Sequence, residues 1–385
     1  MEAKLKLQGR IDSSNAEETG RMLMEGIAGA DSAVIDCGEL EYISSAGLRA
    51  ILKARKSLPG GITMTNVSRD VYEIFDMTGF VQMMDIRRAY RVLSVDGCEV
   101  IGEGANGIVY KIDADTVVKV YKNSDDIDTI HRERELSRSA FLLGVPTAIP
   151  YDVVMIDDGV HYGAVFEMLN AESYASLLID GKKTVDEIAK MTAETLHSVH
   201  SAVPDKGFLP ERRDAYLDMV NDIEGKVPDE QVAKLRSMLE AMPYDPHMLH
   251  GDFHIKNIMV QNGESLIIDM DTLAVGDPVF EFSGMYAAYI GFSEPDPNNV
   301  TEFFGISGDT AGRLWKATLR EYFGNEEDAV SADKKIRLMS AVFLLSFIIR
   351  HTEREEGYRN RLIEISIKNI DALIGEVDDL TIRKN

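Results

Sequence analysis

Residues 248–260, MLHGDFHIKNIMV, determine the fold of most of this chain. A short polar stretch lies between two apolar runs, and within it Asp252 comes five residues before Asn257. A further apolar run, LIIDMD at 266–271, has the pattern of a buried strand and ends near Asp269. Phosphoryl transfer needs a carboxylate near the acceptor hydroxyl and hard oxygen ligands that hold Mg²⁺ against the nucleotide phosphates. We therefore predict Asp252 as the catalytic base and Asn257 and Asp269 as metal ligands.

A glycine-rich segment, GEGANGIV at 102–109, fits two fingerprints. GxGxxG is typical of the dinucleotide-binding turn, whereas GxGxxGxV is typical of the loop that covers ATP in kinases. The dinucleotide turn is followed at once by a helix, but here two β-rich runs follow, IVYKIDADTVVKVYK at 108–122. This favours a strand–loop–strand hairpin, although the glycines alone also fit an ordinary tight hairpin. The predicted nucleotide-binding positions are Gly102, Gly104, Gly107 and Val109.

Lys119 lies on the strand after this hairpin, where a kinase needs a cation for the α- and β-phosphates. An acidic residue on the next helix orients such a lysine, and a helical pattern follows at 130–143 with Glu133 and Glu135 as candidates. We favour Glu133, because apolar residues three and seven positions later would share its inward face. The alternative is that these glutamates are solvated surface charges.

The next apolar strand, YGAVF at 162–166, runs into a segment that would be the hinge between two kinase lobes. Backbone N–H and C=O groups of a hinge pair with adenine, so the identity of the side chains matters little there. Glu167 and Leu169 are the predicted adenine-binding positions, and this prediction rests on their place in the chain.

The 248–260 segment resembles the HGDxHxxN signature of the aminoglycoside phosphotransferase and choline kinase-like family, which shares the protein-kinase fold. The stretch IDMDTLAVGDPVFE at 268–281 is similar to that family's metal-binding aspartate and Gly-Asp-Pro turn. The likeness extends from residue 92 to about residue 375. The resemblance implies the following roles: Asp252 as base, Asn257 and Asp269 on metal, Lys119 on phosphate, His250 and His254 shaping the catalytic loop, Asp271 assisting the metal, and Asp277 in structural hydrogen bonds to that loop.

Residues 1–92 alternate β-like runs with amphipathic helical patterns, which predicts a sheet covered by helices. Three of their segments resemble the STAS domain of anti-sigma-factor antagonists and sulfate-transporter tails: GRID at 9–12, ELEYISSAGLRAIL at 39–52 and VSRDVYEIFDMTGF at 67–80. The resemblance implies a regulatory or binding module with a protein partner.

In the STAS family, the turn before the central helix presents a phosphorylatable serine or threonine, and the resemblance places Ser45 at that position. Ser44 stands where many members have aspartate. The simpler interpretation is that these serines cap the helix. A phosphate there would meet free backbone N–H groups and the positive end of the helix dipole.

Two domains are predicted, an α/β domain followed by an α+β domain. Residues 1–92 form the STAS-like domain, and residues 93–385 form a protein-kinase-like domain with a β-rich N-lobe (93–168) and a helical C-lobe (169–385). The boundary lies where helix–strand alternation gives way to β-branched runs separated by glycine and acidic turns, a pattern typical of antiparallel sheets.

The chain has 385 residues, with 41 Lys and Arg against 65 Asp and Glu, and a formal net charge of −24. A field of this sign repels phosphates and argues against nucleic acid as a partner. The two cysteines lack CxxC spacing, so no disulfide framework or zinc site is predicted. The start of the sequence has no apolar signal core, and the longest apolar stretch is shorter than the ~20 residues that span a bilayer. We expect a cytoplasmic protein without membrane insertion.

The favoured function is an ATP- and Mg²⁺-dependent phosphotransferase acting on a hydroxyl of a small molecule, with a cationic acceptor favoured by the acidic composition. A pseudokinase would lack one of the required groups, and none is missing. A second hypothesis is a signalling kinase that phosphorylates a protein serine, with Ser45 as a candidate. A third is a nucleotide-dependent scaffold that switches partners through the STAS-like domain.

Overall fold

The computed structural model describes residues 2–104, 106–123 and 127–383. The chain forms two compact units. The first unit contains residues 1–94 and 153–160, and the second contains residues 95–152 and 161–385.

The first unit is built on a four-stranded parallel sheet whose strands follow chain order across the sheet. Parallel strands need cover on both faces, and the helices that connect them contribute buried residues such as Ile51 and Phe75 to the core. The predicted sheet covered by helices is confirmed. The elements are β1 (Glu2–Ile11), α1 (Ala16–Gly26), β2 (Ser32–Ile43), α2 (Ser45–Lys56), β3 (Ile62–Val67), α3 (Arg69–Met77) and β4 (Asp85–Arg88).

A short parallel pair completes the first unit and was not predicted. Strand β5 (Arg91–Leu93) pairs with residues 154–156 of a later strand, so that a segment from far along the chain belongs to this unit. The pairing depends on a contact between residues about sixty positions apart, and no local pattern indicates it.

The second unit begins with an antiparallel sheet, as the β-branched runs predicted. Its neighbouring strands are β10, β8, β7 and β6, in that order. Helix α4 carries the buried residues Ile130, Glu133, Leu136 and Ala140. The bounds are β6 (Glu99–Glu103), β7 (Gly107–Lys111), β8 (Thr116–Tyr121), α4 (Ile127–Leu142), β9 (Pro150–Ile156, of which residues 153–156 belong to the first unit) and β10 (Tyr162–Glu167).

The rest of the second unit is largely helical, as predicted, around one extended apolar core. Two groups of short strands lie beside the polar segments of the chain. Strands β11 (Glu172–Ser173), β13 (Ile258–Gln261) and β14 (Glu264–Ile267) form one sheet, and β12 (Met248–Leu249) pairs with β15 (Ala274–Val275). The bounds are β11 (Glu172–Ser173), α5 (Tyr174–Ile179), α6 (Val185–Ser201), α7 (Arg212–Asp222), α8 (Asp229–Ala241), β12 (Met248–Leu249), β13 (Ile258–Gln261), β14 (Glu264–Ile267), β15 (Ala274–Val275), α9 (Val279–Tyr289), α10 (Asn298–Phe304), α11 (Gly308–Phe323), α12 (Glu326–Arg350) and α13 (Glu356–Ile374). No helix in the described ranges combines the length and apolar character needed to cross a bilayer.

Candidate active site

The glycine-rich hairpin joins β6 to β7. The Gly104 N–H donates to the Gly107 carbonyl oxygen at 2.9 Å. A Cβ atom on Gly107 would lie 2.4 Å from the Val120 carbonyl oxygen, so the packing of the hairpin on β8 requires glycine there. Nothing lies within 4 Å of a Cβ built on Gly104, which leaves this stretch of backbone open to a ligand. Ala105 lies outside the described residues.

Lys119 lies on β8 directly opposite Val109 on β7, so both side chains point to the same face of the sheet. Its Nζ atom lies 2.8 Å from Oε1 of Glu133 and 2.6 Å from Oδ1 of Asp269. Burial lowers the pKa of Lys119, but the charges of the two carboxylates raise it by more, and the net pKa is raised. The ammonium group therefore stays charged at neutral pH.

The structure separates the two candidate glutamates of α4. The Glu133 side chain is 4% exposed and faces Lys119. The Glu135 side chain is 48% exposed and contacts Arg134 and Arg138 instead. Burial raises the pKa of the Glu133 carboxyl, and the charge of Lys119 opposes this shift. Because the two groups are 2.8 Å apart, we treat them as an ion pair.

Asp252 and Asn257 are connected by the side-chain amide of Asn257. Its Nδ2 donates to the Asp252 carbonyl oxygen at 3.0 Å and to Asp252 Oδ2 at 3.2 Å. Both amide hydrogens are thereby engaged, and the amide oxygen is the group left for a cation. The Asp252 side chain is 54% exposed. Its partial burial raises the pKa of the carboxyl to about 6, and the nearby Asp269 and Asp271 charges add to this rise.

Asp269 has an unusual backbone conformation for a residue other than glycine, with φ of +63°. This left-handed conformation costs an L-residue on the order of 1–2 kcal/mol, although aspartate and asparagine tolerate it best. Its carboxylate is 46% exposed and contacts Lys119. The neighbouring Asp271 accepts a hydrogen bond from Asn106 Nδ2 at 3.1 Å. Asp269 therefore contacts β8, and Asp271 contacts the glycine hairpin.

The backbone of residues 250–257, called the catalytic-loop segment below, is held by a buried glutamate that the sequence analysis did not single out. Glu281 on α9 accepts the N–H of His250 at 2.5 Å and the N–H of Gly251 at 2.9 Å. Gly251 has φ of +88°, and a Cβ atom there would lie 2.4 Å from the Thr272 carbonyl oxygen. The loop therefore requires glycine at this position.

The two histidines of the segment are structural. His250 Nδ1 accepts the Asp252 N–H at 3.3 Å, and Nε2 lies 3.2 Å from the Ile268 carbonyl oxygen, so the ring links the loop to the chain before Asp269. His254 is buried, its Nε2 lies 3.7 Å from Asp252 Oδ2, and burial lowers its pKa to about 4. The imidazole of His254 is therefore neutral at physiological pH.

At the predicted hinge, most of the backbone donors already have partners. The Glu167 N–H donates to the Ile149 carbonyl oxygen at 3.0 Å, and the Met168 N–H donates to the Asp115 carbonyl oxygen at 2.7 Å. The Glu167 side chain accepts the Ile149 N–H. Within the described part of the chain, the N–H of Leu169 donates no backbone hydrogen bond. Leu169 is thus the predicted hinge residue whose donor is left for a ligand.

Asp277 is buried and accepts hydrogen bonds from three backbone N–H groups, those of Val279, Ile382 and Arg383. Burial raises the pKa of its carboxyl against the opposing effect of these bonds. Its contacts are structural, but they go to α9 and to the 382–383 backbone, not to the catalytic-loop segment.

The residues that fit a divalent cation are few. No three His, Cys, Asp or Glu side chains of residues 2–104, 106–123 and 127–383 group as a metal-binding cluster. Mg²⁺ in nucleotide sites is usually held by one or two protein oxygens together with substrate phosphates. The amide oxygen of Asn257 and the half-exposed carboxylate of Asp269 match that requirement.

In the first unit, Ser44 and Ser45 have different environments. Ser44 is the N-cap of α2, and its side chain accepts the Gly47 N–H at 3.5 Å. Ser45 is the first residue of the helix and is exposed. The capping prediction therefore applies to Ser44, while Ser45 is an exposed residue in the first turn of the helix.

Comparisons with known proteins identify both parts of the chain. Residues 97–315 match the phosphotransferase enzyme family (APH), and residues 3–92 match the STAS domain. A stretch of 84 residues is 36% identical to a protein of Bordetella bronchiseptica named "Putative anti-sigma factor antagonist BtrV". The matched region covers 21% of this chain and 72% of that protein.

Two solved structures are similar to this chain at low sequence identity. A thermostable mutant of aminoglycoside phosphotransferase APH(4)-Ia, in ternary complex with AMP-PNP and hygromycin B, matches at TM-score 0.50 and 14% identity over 72% of this chain and 93% of that chain. ADP-bound aminoglycoside phosphotransferase APH(2'')-Ib matches at TM-score 0.47 and 20% identity over 72% and 91%. The family match covers more than half of the residues, and the chain thus belongs to the phosphotransferase enzyme family, as a kinase-like enzyme that carries an N-terminal STAS domain of the anti-sigma-factor-antagonist type.

Proposed function

We propose that this chain transfers the γ-phosphoryl group of ATP, in the presence of Mg²⁺, to a hydroxyl group of a small molecule. One observation supports this most: residues from four separate segments converge on one place. The Lys119 ammonium is shared by Glu133 and Asp269, and the Asn257 amide is anchored on Asp252. This set contains a phosphate-binding cation, metal-binding oxygens and a carboxylate base, which are the parts that phosphoryl transfer requires.

The nucleotide would be bound by the glycine hairpin, Lys119 and the hinge. The open backbone at Gly104 would allow close approach of phosphate oxygens, a Cβ atom on Gly102 would only make an ordinary contact with Val109, and Gly107 serves the packing of the hairpin. Lys119 reaches the phosphates from β8, with Glu133 fixing its direction. The Leu169 N–H and the Glu167 carbonyl oxygen are the groups we propose for adenine.

Asn257 and Asp269 would hold the cation through oxygen atoms. A bound Mg²⁺ neutralises the charge that develops on the transferred phosphoryl oxygens. The need for a cation follows from charge. Glu133 and Asp269 already pair with Lys119, and the charges of Asp269 and Asp271 also act on Asp252, so this group of carboxylates would repel a free nucleotide.

Asp252 would orient the acceptor hydroxyl and receive its proton. Its side chain is 54% exposed, so a substrate can reach it, and its pKa of about 6 leaves it mostly ionised at neutral pH while keeping it basic enough to accept a proton. His250 and Asn257 fix the loop and the carboxylate without taking part in proton transfer.

The acceptor class we propose is a cationic alcohol, such as an amino alcohol or an aminoglycoside. The support is the net charge of −24 and the excess of carboxylates around Lys119. Cationic substrates gain both affinity and association rate in such a field.

The test is ADP release by the purified protein with ATP, Mg²⁺ and a panel of cationic and neutral alcohols. Asp252→Asn and Asp269→Asn should each lower turnover by on the order of 10³-fold or more while circular dichroism stays unchanged. Asp309→Asn is the matched control, since it removes the same charge from an exposed pair with Arg313. Full turnover in either active-site variant would contradict the proposal.

A second candidate function is phosphorylation of a protein serine, with Ser45 as the candidate site. Its support is the exposure of Ser45 at the start of α2 and the likeness of the first unit to an anti-sigma factor antagonist. A phosphate at this position would be stabilised by the first free N–H groups of the helix. Incubation with ATP followed by mass spectrometry of wild type and Ser45→Ala distinguishes this candidate, and an unmodified Ser45 with unmodified partner proteins rejects it.

The first unit is also proposed to bind a protein partner, which is the role that its resemblance implies. Under the scaffold hypothesis, nucleotide binding would occur at one equivalent without transfer to any acceptor. Isothermal titration with ATP and Mg²⁺, run beside the ADP-release panel, separates that case from catalysis.

A further inference from the structure

Residues 380–383, called the bracing segment below, follow the last helix and are packed into the second unit. Leu380 and Ile382 are buried in its apolar core. Lys335 Nζ donates to the Thr381 carbonyl oxygen at 2.9 Å. The segment lies beyond residues 97–315, which match the family. Its remaining polar contacts all go to residues that frame the catalytic-loop segment.

The first of these contacts is made by the backbone. The Ile382 and Arg383 N–H groups donate to the Asp277 carboxylate at 3.2 and 3.1 Å. The same carboxylate accepts the Val279 N–H at 2.9 Å at the start of α9. The bracing segment is thus joined to the first turn of the helix that carries Glu281.

The second contact is made by the Arg383 guanidinium. Its Nε donates to Asp245 Oδ2, and its Nη1 donates to the His200 carbonyl oxygen at 3.1 Å. The other oxygen of Asp245 accepts the His247 N–H at 3.0 Å. His247 immediately precedes β12, so Arg383 holds the chain at the point where it enters that strand.

These contacts meet at the outer ends of the β12–β15 pair. Strand β12 leads directly into Asp252, and β15 follows Asp269 and leads to Asp277. Asp252, Asn257 and Asp269 lie in the connection between the two strands. The bracing segment joins the outer ends of β12 and β15, and it therefore fixes where the connection that carries these residues begins and ends.

We propose that Arg383 is a positioning residue for the backbone of the catalytic-loop segment. Its guanidinium contacts Asp245 and its backbone N–H contacts Asp277, so one residue links the two aspartates. The effect reaches the loop along β12 and through α9, where Glu281 accepts the His250 and Gly251 N–H groups. A shift of about 1 Å in a catalytic group can cost on the order of 10²-fold in rate. The kinetic consequence rests on the proposed phosphotransferase function, whereas the structural consequence does not.

The test compares four variants of the full chain with wild type. Arg383→Met removes both side-chain contacts, and Asp245→Asn weakens one of them without changing the bracing segment. Arg383→Lys keeps a cation opposite Asp245 but loses the planar fork. Lys334→Met is the matched control, because it breaks an exposed ion pair with Glu376 near the same segment.

Two measurements are made on each variant: hydrogen–deuterium exchange of peptides covering 248–257, and ATP hydrolysis with water as acceptor. For Arg383→Met, exchange at 248–257 should rise relative to α11, and kcat should fall about 10- to 100-fold while KM for ATP changes less than about threefold. Asp245→Asn should show the same pattern at smaller size, and Arg383→Lys should recover part of kcat. Lys334→Met should behave as wild type.

Exchange at 248–257 equal to wild type in both Arg383→Met and Asp245→Asn would overturn the inference. So would a uniform rise of exchange across the unit, or an equal loss of kcat in Lys334→Met. If the wild type itself hydrolyses no ATP and phosphorylates no acceptor, the proposed function fails, and the exchange comparison still decides the positioning role by itself.

Discussion

Replacement of Lys119 by methionine should destabilise the second unit, because it leaves Glu133 as a buried carboxylate without its partner. The Glu133 side chain is 4% exposed, and the lysine ammonium lies 2.8 Å away. Breaking a buried pair by removing one partner costs about 3–5 kcal/mol. The second partner, Asp269, is half exposed, and its loss adds at most about 1 kcal/mol. The expected loss in the free energy of unfolding is therefore dominated by Glu133.

Urea unfolding followed by tryptophan fluorescence measures this loss. Trp315 is the only tryptophan of the chain and is buried on α11 in the second unit. The double variant Lys119→Met/Glu133→Gln should regain most of the lost free energy, since a neutral amide replaces the unpaired charge. Lys122→Met is the control, because its pair with Glu103 is exposed and should contribute less than about 1 kcal/mol.

The pH dependence gives an independent check of the cause. Burial raises the pKa of Glu133 in the folded state, and removal of Lys119 removes the opposing effect. The folded state then binds a proton more tightly than the unfolded state, so the penalty is full above the folded pKa and is relieved as pH falls through it. Wild-type stability of Lys119→Met, or a loss that neither acid pH nor Glu133→Gln relieves, would refute the reasoning.

Further predictions concern glycine and serine positions. Gly107→Ala should raise KM for ATP about tenfold in the ADP-release assay, because the new methyl group must displace the Val120 carbonyl from the hairpin. Gly251→Ala should cost at least about 2 kcal/mol in urea unfolding and lower kcat, since both its positive φ and the nearby Thr272 carbonyl exclude a side chain. Ser44→Ala should cost about 0.5–1 kcal/mol in thermal unfolding of the first unit, as expected for loss of an N-cap.

Gly107→Ala and Ser44→Ala each have a comparison variant that isolates the cause. Gly104→Ala meets no atom within 4 Å and should leave the hairpin fold intact. Ser45→Ala removes an exposed hydroxyl and should change stability by less than about 0.5 kcal/mol. Equal effects of Ser44→Ala and Ser45→Ala would contradict the capping geometry, and unchanged activity of Gly251→Ala would contradict the account of the loop.

Local motifs predicted much of the fold and the candidate site, because each of them encodes its own loop. The motif at 248–260 placed Asp252 and Asn257 in one predicted site, and their side chains lie within hydrogen-bond distance of each other, a contact that was not predicted. The periodicity of α4 favoured Glu133 over Glu135, and the buried position of Glu133 agrees with that pattern. The STAS-like and kinase-like parts were both predicted from short segments and are confirmed by the family matches.

Contacts between distant positions were not predictable in this way. Glu281 was part of a quoted motif, but its partner His250 is 31 positions away and the bond is to a backbone N–H that has no sequence signature. The contact of Asn106 with Asp271 spans 165 positions. A local signal was overlooked in one place: Asn262 and Gly263, with φ of +53° and +85°, form the two-residue turn between β13 and β14 that an Asn-Gly pair favours.

The contact between Lys119 and Asp269 has a consequence for the order in which ligands bind. The carboxylate that we propose for the metal already has a cationic partner, and the lysine that we propose for the phosphates already has an anionic one. A nucleotide without metal would draw Lys119 away and leave Asp269 facing phosphate oxygens. A metal without nucleotide would compete with the lysine for one carboxylate. When metal and nucleotide bind together, the pair between Lys119 and Asp269 is replaced by two pairs, Asp269 with the metal and Lys119 with the phosphates. We therefore expect the metal and the nucleotide to increase each other's affinity by the same factor.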